Sequence, residues 1–169
     1  MSDDLPACGR IVDGCHRLAI RVYYEDTDAG GIVYHANYLR FFERARSEFL
    51  RCLDIDHAAA WRDAAGADSA MGFAVRAVTL DYLAPAVLDD ALVIESRVAA
   101  LGAAWVDVEQ RALRGDDCLA RARLKVVLTD GLGRPRRLPK AWRAAFETVR
   151  KAAETQANGT DTETGCGNG

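Results

Sequence analysis

The sequence predicts a single α+β domain in which a curled antiparallel sheet of about five strands wraps round a long helix, with a further helix toward the C-terminal end. Three observations carry this expectation. One aromatic segment has helical spacing, the segments on either side of it alternate apolar with polar residues, and turn signals separate those segments. A helix with a wide apolar face cannot be hidden by a flat sheet. A sheet curled round it covers both hydrophobic faces at once.

Residues 1–15 read as an N-terminal extension, with Asp3, Asp4 and Asp13 and no apolar run long enough for a signal-peptide core or a membrane span. The protein is therefore expected in the cytoplasm. From His16 to Tyr24, Leu18, Ile20 and Val22 fall on one side and Arg17, Arg21 and Tyr23 on the other, which predicts a strand. An acidic, glycine-containing loop follows. Then Tyr38, Phe41, Phe42, Ala45, Phe49 and Leu53 recur at helical spacing, while Arg40, Glu43, Arg44, Arg46 and Glu48 fall largely on other faces. This is an amphipathic helix of about four turns, with Asn37 as its candidate cap.

A weaker helical piece runs from about Asp56 to Ala64 and closes at Gly66. Strands are expected at Phe73–Tyr82, Leu92–Val98, Trp105–Ala112 and Ala120–Leu128, with a turn at Gly115-Asp116-Asp117. Their alternation marks an antiparallel sheet with one covered face. A last helix is expected from about Pro139 to Glu154, closing a domain of residues 16–154, and the Thr/Asn/Gly-rich segment 155–169 is expected to be disordered.

At 169 residues with 50% hydrophobic content, the chain is the size of one domain with a real core. A formal charge of −3 with interspersed signs gives no basic footprint for a nucleic acid. A small molecule or a protein is the expected partner. The five cysteines (Cys8, Cys15, Cys52, Cys118, Cys166) are odd in number and contain no Cys-x-x-Cys pair, which argues against a disulfide framework and a zinc site. Arg121, Arg123 and Lys125 form a basic row on one strand face, and Arg134, Arg136, Arg137 and Lys140 cluster before the last helix. Such rows are ordinarily solvated faces.

Between Tyr24 and Tyr38 a strand ends, carboxylates gather at Glu25, Asp26 and Asp28, and Gly30 and Gly31 lead toward the long helix. The N-H groups at the start of that helix favour an anion or a developing oxyanion. A carboxylate on the same loop could face that position across a bound carbonyl, and the two glycines would let backbone approach a ligand closely.

Arg21-Val22, Thr27-Asp28, Gly30-Gly31-Ile32-Val33-Tyr34 and Asn37-Tyr38, at their spacing here, resemble the signature of the 4-hydroxybenzoyl-CoA thioesterase family. Tyr34-His35-Ala36-Asn37-Tyr38 and Phe42-Glu43-Arg44-Ala45-Arg46 are most similar to the Tol-Pal-associated acyl-CoA thioesterases of bacteria. The resemblance spans about residues 16–150. It implies a hotdog fold, a homodimer or homotetramer, and hydrolysis of acyl-CoA to free acid and coenzyme A with no metal or other cofactor. It also leaves room for an envelope or phospholipid-protein partner. The family's catalytic aspartate falls on Asp28, and the backbone N-H that polarises the thioester carbonyl falls on His35. Asp28 could act as a general base for water or as a nucleophile forming a mixed anhydride. Gly30, Gly31 and Tyr34 are candidate substrate contacts. Arg134, Arg136 and Arg137 are candidates for the phosphates of coenzyme A.

The alternative to catalysis is a non-catalytic acyl-CoA-binding or envelope-complex accessory protein. Retention of Asp28 argues for catalysis. Glu25 and Asp26 read as solvated or structural, Tyr38 as packing, and His35 as acting chiefly through its backbone.

Overall fold

The computed structural model describes residues 7–160, with residues 1–6 and 161–169 outside the described part. In chain order the elements are β1 (Arg10–Val12), β2 (Cys15–Arg21), α1 (Asn37–Cys52), α2 (His57–Arg62), β3 (Gly72–Tyr82), β4 (Ala91–Leu101), β5 (Trp105–Arg114), β6 (Asp117–Thr129) and α3 (Lys140–Thr160). One six-stranded antiparallel sheet runs β1-β2-β4-β5-β6-β3. Register shifts at Val75/Ala77, Val98/Ala100 and Ala112/Leu113 interrupt its ladders. Such bulges add local twist, which helps a sheet to curl.

The aromatic stripe seen in the sequence is the reason for the curl. Tyr38, Phe41, Phe42, Ala45 and Phe49 of α1 are buried, with Phe41 and Phe42 at 0% exposure, against Leu18, Leu92, Ile94, Val108 and Leu124 of the strands. Each fully buried phenylalanine contributes about 1.5–3 kcal/mol relative to exposure. α3 adds Phe146 and Val149 to the same core, and Phe73 of β3 meets the rings of Trp142 and Phe146 at 5.8 and 6.3 Å. On the outer face the expected basic row is paired rung by rung. Arg121 meets Asp81 at 2.9 Å, Arg123 meets Glu109 at 3.1 Å and Lys125 meets Asp107 at 2.8 Å, so it is a neutralised ladder.

Three local expectations change. The sheet has six strands because part of the presumed extension folds back: Arg10–Val12 pairs with β2 through a two-residue turn, Asp13 (φ 50°) and Gly14 (φ 70°). Both residues are left-handed, as a tight hairpin of this kind requires. A Cβ on Gly14 would lie 2.1 Å from the Val149 carbonyl oxygen and 2.5 Å from the Ala153 nitrogen, so the turn is seated directly on the backbone of α3. Asn37 does not cap α1. Ala36 holds that position without a side-chain bond, and the buried Asn37 amide reaches the Glu25 carbonyl at 3.4 Å. Finally, α3 continues through residues 155–160 of the expected tail, whose remainder, 161–169, lies outside the described residues.

β3 forms one edge of the sheet, and among the described residues nothing pairs with its outer side. Val75, Val78 and Tyr82 on this strand are 48%, 44% and 49% exposed. No helix of the described residues is long and apolar enough to cross a membrane.

Candidate active site

The loop between β2 and α1 is built around Asp26. It is buried, its carboxylate accepts the Tyr23 N-H at 2.9 Å, and its carbonyl accepts the Tyr34 N-H at 2.8 Å, which ties the two arms of the loop together. The structural role expected for Asp26 is the one it has. Past it, bridges between Thr27 and Val33 and between Ile32 and Val87 make a small hairpin whose tip is Asp28 to Gly31. The Asp28 N-H donates to Ile32 O at 2.9 Å, and the Gly31 N-H to Asp28 O at 3.0 Å.

At this tip the Asp28 carboxylate accepts the Gly30 N-H through Oδ1 at 2.8 Å. Its other oxygen has no protein partner among the described residues, and the residue is exposed. The glycines therefore act first on Asp28. Gly31 supplies a left-handed φ of 75°, and a Cβ on Gly30 would lie 3.0 Å from Oδ1. Close backbone approach was expected here toward a ligand; the approach that the chain makes is to its own carboxylate.

The other half of the site is the entry to α1. The N-H groups of Tyr34, Asn37 and Leu39 are taken by Asp26 O, Tyr34 O and Ala36 O, whereas the His35 N-H has no acceptor among the described residues. An exposed, unpaired donor at a helix start can receive a negatively charged oxygen. The following peptide is held from β3, because the Tyr82 hydroxyl donates to His35 O at 2.9 Å. The His35 ring lies 4.3 Å from Tyr34 and 6.4 Å from Tyr82, and Tyr38 is 5.6 Å from Tyr82. Tyr38 is more than packing. Its buried hydroxyl accepts the Ala86 N-H at 3.3 Å, and burial pushes this phenol above its ordinary value, so it stays protonated. Nothing in the strand pattern of β3 marks Tyr82 as a partner of this loop, which it reaches only in the folded chain.

Arg134, Arg136 and Arg137 are exposed on the loop between β6 and α3. Asp130 shapes that loop: its Oδ1 accepts the N-H groups of Leu132 and Arg134, both at 2.9 Å. The Arg134 N-H bond is the main reason its carboxyl is held below the ordinary range. Arg136 reaches the Asp68 carbonyl at 3.2 Å. These arginines do not meet Asp28 within one chain. Their loop follows Thr129, which pairs with Gly72 at the start of β3, whereas Tyr82, beside His35, is at its end. At about 3.3 Å per strand residue, the two clusters are roughly 30 Å apart.

Comparison with known proteins places the chain in a family. Residues 22–146 match the thioesterase-like superfamily. The chain is 40% identical over 141 residues to the acyl-CoA thioesterase YbgC of Haemophilus influenzae, covering 83% of this chain and 100% of that protein. It is 42% identical over 133 residues to the acyl-CoA thioester hydrolase YbgC of Escherichia coli O157:H7, covering 78% of this chain and 95% of that one. Among solved structures, a probable thioesterase from Bartonella henselae superposes with a TM-score of 0.68 at 38% identity, covering 74% of this chain and 99% of that chain. The fold is the hotdog fold, and the chain belongs to the thioesterase-like superfamily as a thioester hydrolase.

Proposed function

We propose that the protein hydrolyses acyl-CoA thioesters, with Asp28 supplying the carboxylate and the His35 N-H receiving the thioester oxygen. The observation that carries this reading is the loop itself, which bears on one segment a turn-fixed, exposed carboxylate and a helix-entry N-H with no acceptor among the described residues. The carbonyl oxygen of the thioester accepts from His35 N-H, and negative charge building on it is met without reorganisation. Asp28 then either takes a proton from an attacking water or attacks the carbonyl carbon to give a mixed anhydride that water resolves. A thiol is a far stronger acid than an alcohol, with cysteine at about 8.5, so the leaving group departs as thiolate without a dedicated acid. A Ser-His-Asp set is not required. Gly30 and Gly31 serve substrate by setting the carboxylate, and exposed Tyr34 forms part of the rim.

The site is completed by a second copy of the chain. Antiparallel pairing of β3 with its own copy about the strand's midpoint sets Gly72 of one copy beside Tyr82 of the other. The exposed edge of β3 supports such pairing. Arg134, Arg136 and Arg137 of one copy then reach toward the Asp28 loop of the other, where the diphosphate and ribose phosphate of coenzyme A need positive charge.

The test is turnover of a panel of short, long and aromatic acyl-CoAs by the wild type and by Asp28→Asn, alongside thermal melting. Asp28→Asn is expected to fold normally and to lose turnover by at least about a hundredfold. An unchanged rate would remove Asp28 from the mechanism. Binding without turnover across the whole panel would make the protein an acyl-CoA-binding module.

A further inference from the structure

Between α1, the inner face of the sheet and α3 lies a half-open cavity of about 200 Å³. Phe73, Val98, Val106, Val108, Val126 and Phe146 give it apolar walls, and along α1 it is lined by Glu43, Arg46 and Ser47. His57 lines it as well, and the half-buried Arg46 is a cation in a largely apolar cavity, where a charge partly withdrawn from water is favoured by a partner.

Arg46 is fixed but not neutralised. Its Nη1 donates to Gln110 Oε1 at 2.8 Å. The fully buried Gln110 is itself held by its own donations to Phe42 O at 3.0 Å and Ser96 Oγ at 2.8 Å. This braces the guanidinium from below with a neutral group. The acid nearest in electrostatic effect is Glu43, and one of its oxygens already accepts from Ser47 Oγ at 2.8 Å. Among the described residues Arg46 forms no ion pair, and Gln110 is its one hydrogen-bond partner. Loss of solvent lowers its pKa from the ordinary value, with Glu43 opposing, yet a guanidinium of this kind stays charged at any working pH. Four of its five N-H donors have no protein acceptor among the described residues, and they face the solvent of the half-open cavity, free to receive a ligand.

We propose that this cavity is the acyl pocket and that Arg46 selects an acyl group whose far end bears a carboxylate, that is, the coenzyme A half-thioester of a short dicarboxylic acid. The inference rests on the acyl-CoA hydrolase reading above. Pairing through β3 sets the Tyr82 end of one copy, with its Asp28 loop, beside Phe73 and Val75 of the other, and both of those residues line this cavity. The thioester carbon then lies at the mouth and the acyl tail points inward to Arg46. With about 30 Å³ for each water-sized group, there is room for about six or seven heavy atoms, enough for the part of a succinyl or glutaryl group that lies beyond its thioester carbonyl. A plain alkyl tail of that length fills the apolar walls but leaves the guanidinium unpaired. A carboxylate tail receives it in a charge-assisted pair.

The test compares kcat/KM for succinyl- and glutaryl-CoA with butyryl- and valeryl-CoA, in the wild type, Arg46→Met and Arg46→Lys. The wild type is expected to favour the carboxylated substrates by about tenfold or more. Arg46→Met should erase that ratio, and Arg46→Lys, which keeps the charge but not the fork, should retain part of it. A wild type that hydrolyses both classes equally, or prefers the alkyl ones, overturns the inference and leaves the thioesterase reading intact. Equal loss on both classes in Arg46→Met, with the ratio preserved, also overturns it, since Arg46 would then be bracing α1 alone. No turnover of any of the four, with turnover of long or aromatic acyl-CoAs, overturns this inference alone, whereas no turnover across the whole panel removes the hydrolase reading as well. Should Arg46→Met fail to fold, the wild-type ratio still decides.

Discussion

Gly30→Ala asks whether the turn at the loop tip sets the catalytic geometry. The new Cβ would stand 3.0 Å from Asp28 Oδ1, closer than ordinary van der Waals contact. The obstructing atom is the end of a short side chain and not backbone, so the carboxylate yields by a few tenths of an ångström and its 2.8 Å bond from Gly30 N-H loosens. Gly30 is not among the positive-φ residues, so alanine is conformationally acceptable there. At such positions Gly→Ala gains about 0.4–1 kcal/mol by restricting the unfolded chain. That gain offsets the tight contact, and the melting temperature should barely move. Displacing a reacting carboxylate is felt in the transition state, and a tenfold fall in kcat, equivalent to about 1.4 kcal/mol, is the expected scale. Gly31→Ala is the contrasting control. Its Cβ meets nothing within 4 Å, but its φ of 75° imposes backbone strain, so about 1–2 kcal/mol of stability should be lost. Thiol release from acyl-CoA and thermal melting read both variants. A Gly30→Ala protein with wild-type kcat would show that the turn does not position the carboxylate, and the argument for its role would fail.

Two further predictions concern the scaffold. His16 is fully buried, gives its Nε2 proton to Cys8 O at 2.8 Å, and has an Nδ1 with no partner among the described residues. Burial lowers its pKa below 6.5. The unfolded chain then takes up a proton as pH falls through about 6.5 while the folded chain resists, so stability is full above that value and declines below it, by at most about 1.4 kcal/mol per pH unit. Unfolding by urea between neutral pH and mild acid should show this slope, and His16→Phe should flatten it; an unaltered slope would assign the acid sensitivity to other groups. Gly14→Ala combines a left-handed φ with a Cβ 2.1 Å from Val149 O, against backbone that cannot turn aside. A loss of about 2 kcal/mol or more is expected in denaturant unfolding, and a loss below about 0.5 kcal/mol would mean that the hairpin does not seat on α3 as described.

The elements that the sequence made legible are those with a period. The α1 stripe and the alternating strands are repeated patterns, so packing reinforced each local preference. The β1 hairpin lacks such length, although Asp13-Gly14 after Ile11-Val12 is a strong turn signal that was available. Asn37 has cap chemistry, but the chain already turns through Tyr34 and Ala36, which leaves it inside the helix. The Asp28 loop was legible as a motif, whereas its internal bonding was not, because the Gly30 contact depends on the turn's conformation. By helical spacing Arg46 falls with the polar face of α1. It lies four residues after buried Phe42, on the border of the apolar face, and that spacing could have found it. Tyr82 had no such clue, since only the curl of the sheet brings it to His35.

The seat of Gly14 on α3 also bears on how the chain folds. The first hairpin of the sheet rests on the last helix, a contact between nearly opposite ends of the sequence. During synthesis β1 and β2 emerge well before the surface that holds their turn, which follows all six strands, so the hairpin must wait for α3 before it is locked. A chain halted before α3 therefore presents an unfinished core and a loose first strand together. A destabilising change on either side of this late contact should therefore mainly speed unfolding and leave the folding rate nearly unchanged.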